Sequence, residues 1–216
     1  MPAAMTFNSL LGDIRSYLER GYATDTLVYD QLPSLINLAE RDIATKLKIL
    51  GLLNVTTSVM AAGTSVYAKP DRWRQTASIN FGVGTAPLQE RVTIFPREYE
   101  YCRAYWPNSD LRDVPEFYAD YDYQHWLIVP TPDLAYPFEV NYWQQPPLLD
   151  NVNQSNWLTD YAPQALLYGA LYQATPFLKD GAWKKEWEDM YNQQLQALDG
   201  QDLQRIIDRT TVRRKV

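Results

Sequence analysis

Helical periodicity marks both ends of this chain and strand-like alternation marks its middle. Any fold must therefore close a helical body from two distant segments around an insertion. Behind Thr6, which suits an N-cap, Phe7, Leu10, Leu11, Ile14, Tyr17 and Leu18 recur on one helical face, and Gly21 stops the run. A second helix is expected from Asp30 or Gln31 to Leu50, with Leu32, Leu35, Ile36, Ala39, Ile43, Leu47 and Leu50 as its stripe and Gly51 after it. Glu40, Arg41, Asp42, Lys46 and Lys48 fall on its outer side and read as solvated surface or subunit contact. Further on, Trp157, Leu158, Tyr161, Leu166, Leu167, Ala170, Leu171, Ala174 and Leu178 predict one strongly apolar helix, broken at Asp180-Gly181. Trp183, Trp187, Met190, Tyr191, Leu195, Leu198, Leu203, Ile206 and Ile207 predict a long final helix, with Gly200 as a point of interruption.

In the middle, β-rich runs at 54–60, 65–68, 76–81, 91–95, 126–129 and 138–143 alternate with turn residues such as Ala62-Gly63 and Gly82-Val83-Gly84. A short helix is expected over 98–105. Residues 108–122 are polar and acidic: Asp110, Asp113, Glu116, Asp120 and Asp122 oppose Arg112, with Tyr118, Tyr121 and Tyr123 interleaved. They read as a charged loop or hairpin. Residues 144–156, with Pro146 and Pro147, read as a linker. The expected fold class is α+β, mainly α. Residues 1–51 and 146–204 build a helical bundle, a small antiparallel β-module over 52–145 is inserted between them, and 205–216 form an extended basic docking tail.

The 216 residues suffice for a self-supporting core. The single Cys102 excludes an intramolecular disulfide and a Cys-based zinc cage, and the single His125 weakens Ser-His, Cys-His and His-metal schemes. No run of 18 apolar residues suggests a membrane span, and the N-terminus has no basic-then-apolar leader, so neither a membrane helix nor a signal peptide is expected. No phosphate loop and no Gly-x-Ser-x-Gly elbow is present. Gly82-Val83-Gly84 lacks a third glycine, and His125 and Cys102 read as packed or surface residues. Asp120 with Asp122, and Glu186 or Glu188 with Asp189, are the carboxylate pairs a glycosidase would need, but a solvated acidic face is the simpler reading. Neither catalytic residue, metal nor cofactor is expected.

Two features remain. The chain carries 7 Trp and 16 Tyr, and Tyr118, Tyr121, Tyr123, Trp126, Tyr136, Tyr142 and Trp143 concentrate in its middle. They suit a sheet core or a subunit interface better than a carbohydrate platform. The charge is also uneven. Arg205, Arg209, Arg213, Arg214 and Lys215 against Asp208 give the last twelve residues +4, so within a net charge of −6 the remaining 204 carry −10. An acidic body ending in a basic, Ile206-, Ile207- and Val212-bearing segment suits an acidic partner, whether protein or nucleic acid.

Several motifs, in order, resemble the adaptor (head-to-tail connector, or head-completion) proteins of tailed bacteriophages. These are Leu32-Pro33-Ser34-Leu35-Ile36 with Ala39-Glu40-Arg41-Asp42-Ile43; Tyr67-Ala68-Lys69-Pro70-Asp71 with Trp73-Arg74; Tyr142-Trp143-Gln144-Gln145-Pro146-Pro147-Leu148; and Asn156-Trp157-Leu158-Thr159-Asp160-Tyr161-Ala162-Pro163 with the helix after it. The resemblance implies a structural, non-enzymatic protein of the virion neck, between capsid and tail, made in the host cytoplasm. It implies a ring, typically of twelve copies, beneath a portal protein, with a helical wall around the channel for double-stranded DNA and a β-module facing the tail or nozzle protein. It also implies a C-terminal extension docked on the portal, here Arg205, Ile206, Ile207, Arg209, Val212, Arg213, Arg214 and Lys215. Asp110, Arg112, Asp113, Glu116, Tyr118, Tyr121 and Tyr123 are then expected at the tail side or between subunits. An acidic body would let DNA slide during genome ejection, because like charge discourages phosphate from sticking.

Overall fold

The structure, a computed structural model, describes residues 5–83, 90–179, 181 and 183–212, with 202–212 as backbone only. It divides into two compact units. One joins Met1–Leu52 to Gln145–Val216, and the other is Leu53–Gln144.

The first unit is helical. Helix α1 (Phe7–Leu18) opens with a reciprocal cap in which the Ser9 amide donates to Thr6 Oγ1 and the Thr6 amide donates to Ser9 Oγ. It buries Phe7, Leu10, Leu11 and Ile14 and ends at Leu18, earlier than Gly21, because Glu19 turns into the left-handed region at φ 53°. A short α2 (Thr26–Tyr29) precedes α3 (Leu32–Lys46), whose Pro33 sits in the first turn where a missing N–H costs little. Helix α3 stops before the expected Leu50. Leu47 becomes extended, so Leu47 and Ile49 turn inward, and a 3-10 turn follows at Leu50–Leu52. The single helix expected from Trp157 is two, α5 (Trp157–Tyr161) and α6 (Pro163–Leu178). Pro163 disfavours a helical Ala162 and cannot donate to the preceding turn. Helix α6 is the centre of this unit and packs on α1, α3 and α5 and on α7 (Lys184–Val212).

The second unit contains β1 (Leu53–Met60), β2 (Val66–Ala68), β3 (Trp73–Val83), β4 (Glu90–Pro96), α4 (Tyr99–Tyr105), β5 (Phe117–Asp120), β6 (His125–Val129) and β7 (Tyr136–Gln144). They form one seven-stranded sheet in the order β1-β7-β3-β4-β5-β6-β2. All neighbours are antiparallel except β4 and β5, which run parallel with Phe95 opposite Phe117. Helix α4 lies in the crossover such a pair requires. Strand β6 is buried on both faces. Trp126 and Ile128 enter the core with Ile79, Phe81, Phe138 and Val140, whereas Leu127 and Val129 pack with Cys102 of α4.

This architecture corrects the expected fold class. With 42% helix, 26% strand and a nearly closed seven-stranded sheet, the protein is not a mainly helical bundle with a small antiparallel module. The acidic segment read as a loop or hairpin contains β5, which forms a hairpin with β6, also pairs with β4 and makes one sheet of what would otherwise be two. Gly82 and Val83, read as a turn, continue β3. The C-terminal segment is also not extended from residue 205, because α7 runs past Gly200 to Val212 without interruption.

Candidate functional site

The start of α7 is anchored and its end is basic. Trp187, Tyr191 and Leu195 are buried, and Tyr191 and Trp187 stack on Tyr172 and Tyr168 of α6. The Tyr191 hydroxyl donates to Asp42 Oδ2 at 2.8 Å, and Lys46 Nζ donates to the same oxygen at 2.6 Å. Burial, followed by that carboxylate, holds the phenol far above its ordinary range. The backbone of α7 then carries Arg205, Ile206, Ile207, Arg209 and Val212 in its last turns, where cations suit the negative end of the helix dipole. Arg213, Arg214 and Lys215 lie outside the described residues. Near the other end of α7, a cleft of about 690 Å³ is lined by Tyr17, Arg20, Thr175, Lys179 and Trp183.

The acidic segment is ordered by its own polar groups. Asp113 Oδ1 accepts the Val114 amide at 2.8 Å, and its backbone N–H donates to the Thr131 carbonyl. Glu116 accepts the Tyr105 hydroxyl at 2.7 Å. Arg112 lies against Gly63, where a Cβ would sit 2.8 Å from its Nη2; the exposed guanidinium can swing aside, and it is the φ of 78° that favours glycine there. Asp110, Arg112, Asp113, Glu116, Tyr121 and Tyr123 are exposed. Tyr118 differs: it is 7% exposed and belongs to the core cluster with Trp126, Tyr136 and Tyr142, so it offers nothing to an outside partner.

Sequence reasoning missed two polar positions. The Lys69 side chain is 2% exposed and donates to Asp120 Oδ1 at 2.7 Å and to the Asp122 carbonyl at 2.9 Å. Its ammonium lies 3.7 Å from the centre of the Trp73 ring, which meets Tyr123 edge-on. Beside it, His125 Nδ1 is 2.9 Å from both Asp122 carboxylate oxygens. Lys69, Trp73, Tyr123 and His125 line a groove of about 360 Å³. The motif Tyr67-Ala68-Lys69-Pro70-Asp71 was the only signal for it. The second position is Glu40, expected on the outer side of α3 but fully buried. Its carboxylate receives the Leu149 amide at 3.1 Å and Asn156 Nδ2 at 2.6 Å.

The carboxylate chemistry does not favour a glycosidase. Asp120 is paired with Lys69, and the His125 hydrogen bond, followed by backbone amides, holds the Asp122 carboxyl below its ordinary range. A general acid needs the opposite shift. The carboxyl raised by burial is Glu40, which is spent on the linker. Burial likewise pushes up the Cys102 thiol, so it is a packed core cysteine rather than a ready thiolate. Among the described residues, no cluster of His, Cys, Asp and Glu could hold a metal, and no helix is long and apolar enough to cross a membrane.

The chain belongs to the SU10 adaptor protein family, a phage head-tail adaptor family whose model matches residues 5–215. No curated protein matches it. Membership implies a structural role in the virion neck, in contact with other virion components.

Proposed function

We propose that this chain is the subunit of an adaptor ring that joins the capsid portal to the tail. The family match over residues 5–215, together with the basic end of the 29-residue helix α7, carries this reading. From Gln201 to Val212 the helix advances roughly 16 Å, which suits a projecting arm. In this reading Arg205, Ile206, Ile207, Arg209 and Val212, continued by Arg213, Arg214 and Lys215, dock on an acidic and apolar portal groove. Twelve such arms act in parallel, so a weak single contact holds the ring firmly. The bodies contact head to tail, a heterologous interface that closes by rotation. Their −10 charge faces DNA as like charge, which favours sliding over sticking. Asp110, Arg112, Asp113, Glu116, Tyr121 and Tyr123 then serve the tail side or the neighbouring subunit.

Truncation after Leu203 tests the arm. The shortened chain should fold and fail to bind portals; equal binding by both forms removes the docking role. Electron microscopy of the chain with its portal should show a twelvefold ring, and a strongly basic lumen would overturn the channel reading.

A further inference from the structure

Helix α4 sits on the sheet through Cys102, and both its flanks carry arginines laid over rings. On one flank the Arg97 guanidinium carbon is 5.6 Å from the centre of Tyr101 and 5.2 Å from that of Phe117. Tyr101 stacks on Tyr105, and both meet Phe117 edge-on at 5.7 and 5.2 Å. On the other flank Arg103 Nε donates to the Tyr99 hydroxyl at 3.0 Å and its guanidinium lies 5.8 Å from the Tyr121 ring. The interlocked rings stay open to solvent, Tyr101 at 45% and Tyr105 at 41%, and Phe95, opposite Phe117 in the strand pairing, is 56% exposed. Arg97 Nη1 reaches only the adjacent Pro96 carbonyl, at 3.3 Å, and among the described residues no carboxylate pairs with it. Rigid aromatic area around a pre-oriented, uncompensated guanidinium is the composition of a binding hot spot.

We propose that this face binds a largely apolar segment of another virion protein that presents a single carboxylate. Arg97 grips a carboxylate of that segment, and Phe95 and Tyr101 flank its apolar side chains. Nucleic acid fits poorly. The rings are engaged with one another and with arginine, leaving few faces for bases. The exposed Glu98, Glu100 and Glu116 border the patch and would repel a polyanion, whereas a single carboxylate needs only the guanidinium. A two-fold contact between copies fits poorly too, since it would set those glutamates against themselves, and a head-to-tail contact with a neighbouring copy is the outcome that a cross-link to this chain itself would reveal. The proposal rests on the chain working in a virion neck but not on which end meets the portal; truncation of α7 tests that separately.

Zero-length carbodiimide cross-linking of virions carrying Arg97→Lys tests it. The introduced amine should form an amide with an Asp or Glu of a different virion protein, mapped by mass spectrometry, and prior nuclease treatment should leave the link intact. Arg97→Glu should keep the far-ultraviolet dichroism and cooperative melting of the parent, with a small drop in melting temperature from the lost ring contacts, and lose that protein from purified particles. In wild-type particles, phenylglyoxal should label Arg97 far less than in the free chain. Equal labelling, a link only to another copy of this chain, or a link lost with nuclease overturns the proposal.

Discussion

Nδ2 of Asn156 donates to Oε1 of Glu40 at 2.6 Å, across 116 residues of sequence. This contact closes the helical unit. Asn156 also caps α5 by accepting the Leu158 amide, and its Nδ2 reaches the Pro147 carbonyl. Glu40 Oε2 accepts the Leu149 amide and, with the Asn37 amide turned to its better-satisfied orientation, Asn37 as well. Removing Glu40 therefore strands several buried donors. Glu40→Ala should cost about 2–4 kcal/mol, and Asn156→Ala a similar amount because a cap is lost as well. Urea denaturation of each variant measures this; a loss smaller than that of an ordinary surface substitution would refute the latch.

The same carboxylate sets a pH dependence. Burial raises the Glu40 pKa above its ordinary 4.5, and the Leu149 and Asn156 hydrogen bonds offset only part of that rise. The folded protein thus holds this proton more tightly than the unfolded chain. Its contribution to stability is complete below about pH 4.5 and is lost as pH rises through the folded value. Glu40→Gln should flatten the stability–pH curve over that window. Denaturation midpoints of both proteins at successive pH values provide the comparison, and an equally steep curve for the variant would sink the assignment.

Two glycines should respond oppositely to alanine. A Cβ at Gly51 would sit 1.9 Å from Cε2 of Trp157, whose indole packs directly on that backbone. Gly51→Ala should destabilise by about 1–3 kcal/mol through overpacking. Gly12 lies on the exposed side of α1 with nothing within 4 Å of its would-be Cβ. Gly12→Ala should stabilise by about 0.5–1 kcal/mol. Thermal melts of the two variants should move in opposite directions.

Lys69→Met should keep the aliphatic packing on Trp73 and lose the bonds to Asp120 and the Asp122 carbonyl. Asp120 is 66% exposed and can be rehydrated, so the expected loss is modest, about 1–2 kcal/mol. Lys69→Ala should cost more, because a cavity opens beneath Trp73. Chemical denaturation ranks the pair, and the reverse order would show that the volume of this side chain does not stabilise the groove.

Local interactions made much of this protein readable. The Thr6 cap, the α1 and α3 stripes and most strands depend on residues a few positions apart, so their pattern survives in the chain itself. The ordered motifs from Leu32 to Pro163 were likewise enough to suggest the family. Less legible were elements whose residues look polar locally. Strand β5 hides within an acidic stretch because Tyr118 and Ala119 face inward between the charged Glu116 and Asp120. The Arg97 face was not visible at all, since it joins the end of β4, helix α4 and β5 across a crossover.

The amino-acid sequence by itself determined where α1, α3, α4, α5 and α7 begin, most of their apolar stripes, that its last twelve residues are basic and that its motifs follow an adaptor's order. Only the tertiary structure decided that Glu40 is buried, that Lys69 lies under Trp73 and that Tyr118 enters the core while Tyr123 stays outside. The physical reason is the range of the deciding contacts. A helix is chosen by neighbours within one or two turns, but whether a charged side chain is buried depends on which distant segment covers it. For Glu40 that segment is the linker bearing Leu149 and Asn156, more than a hundred residues away.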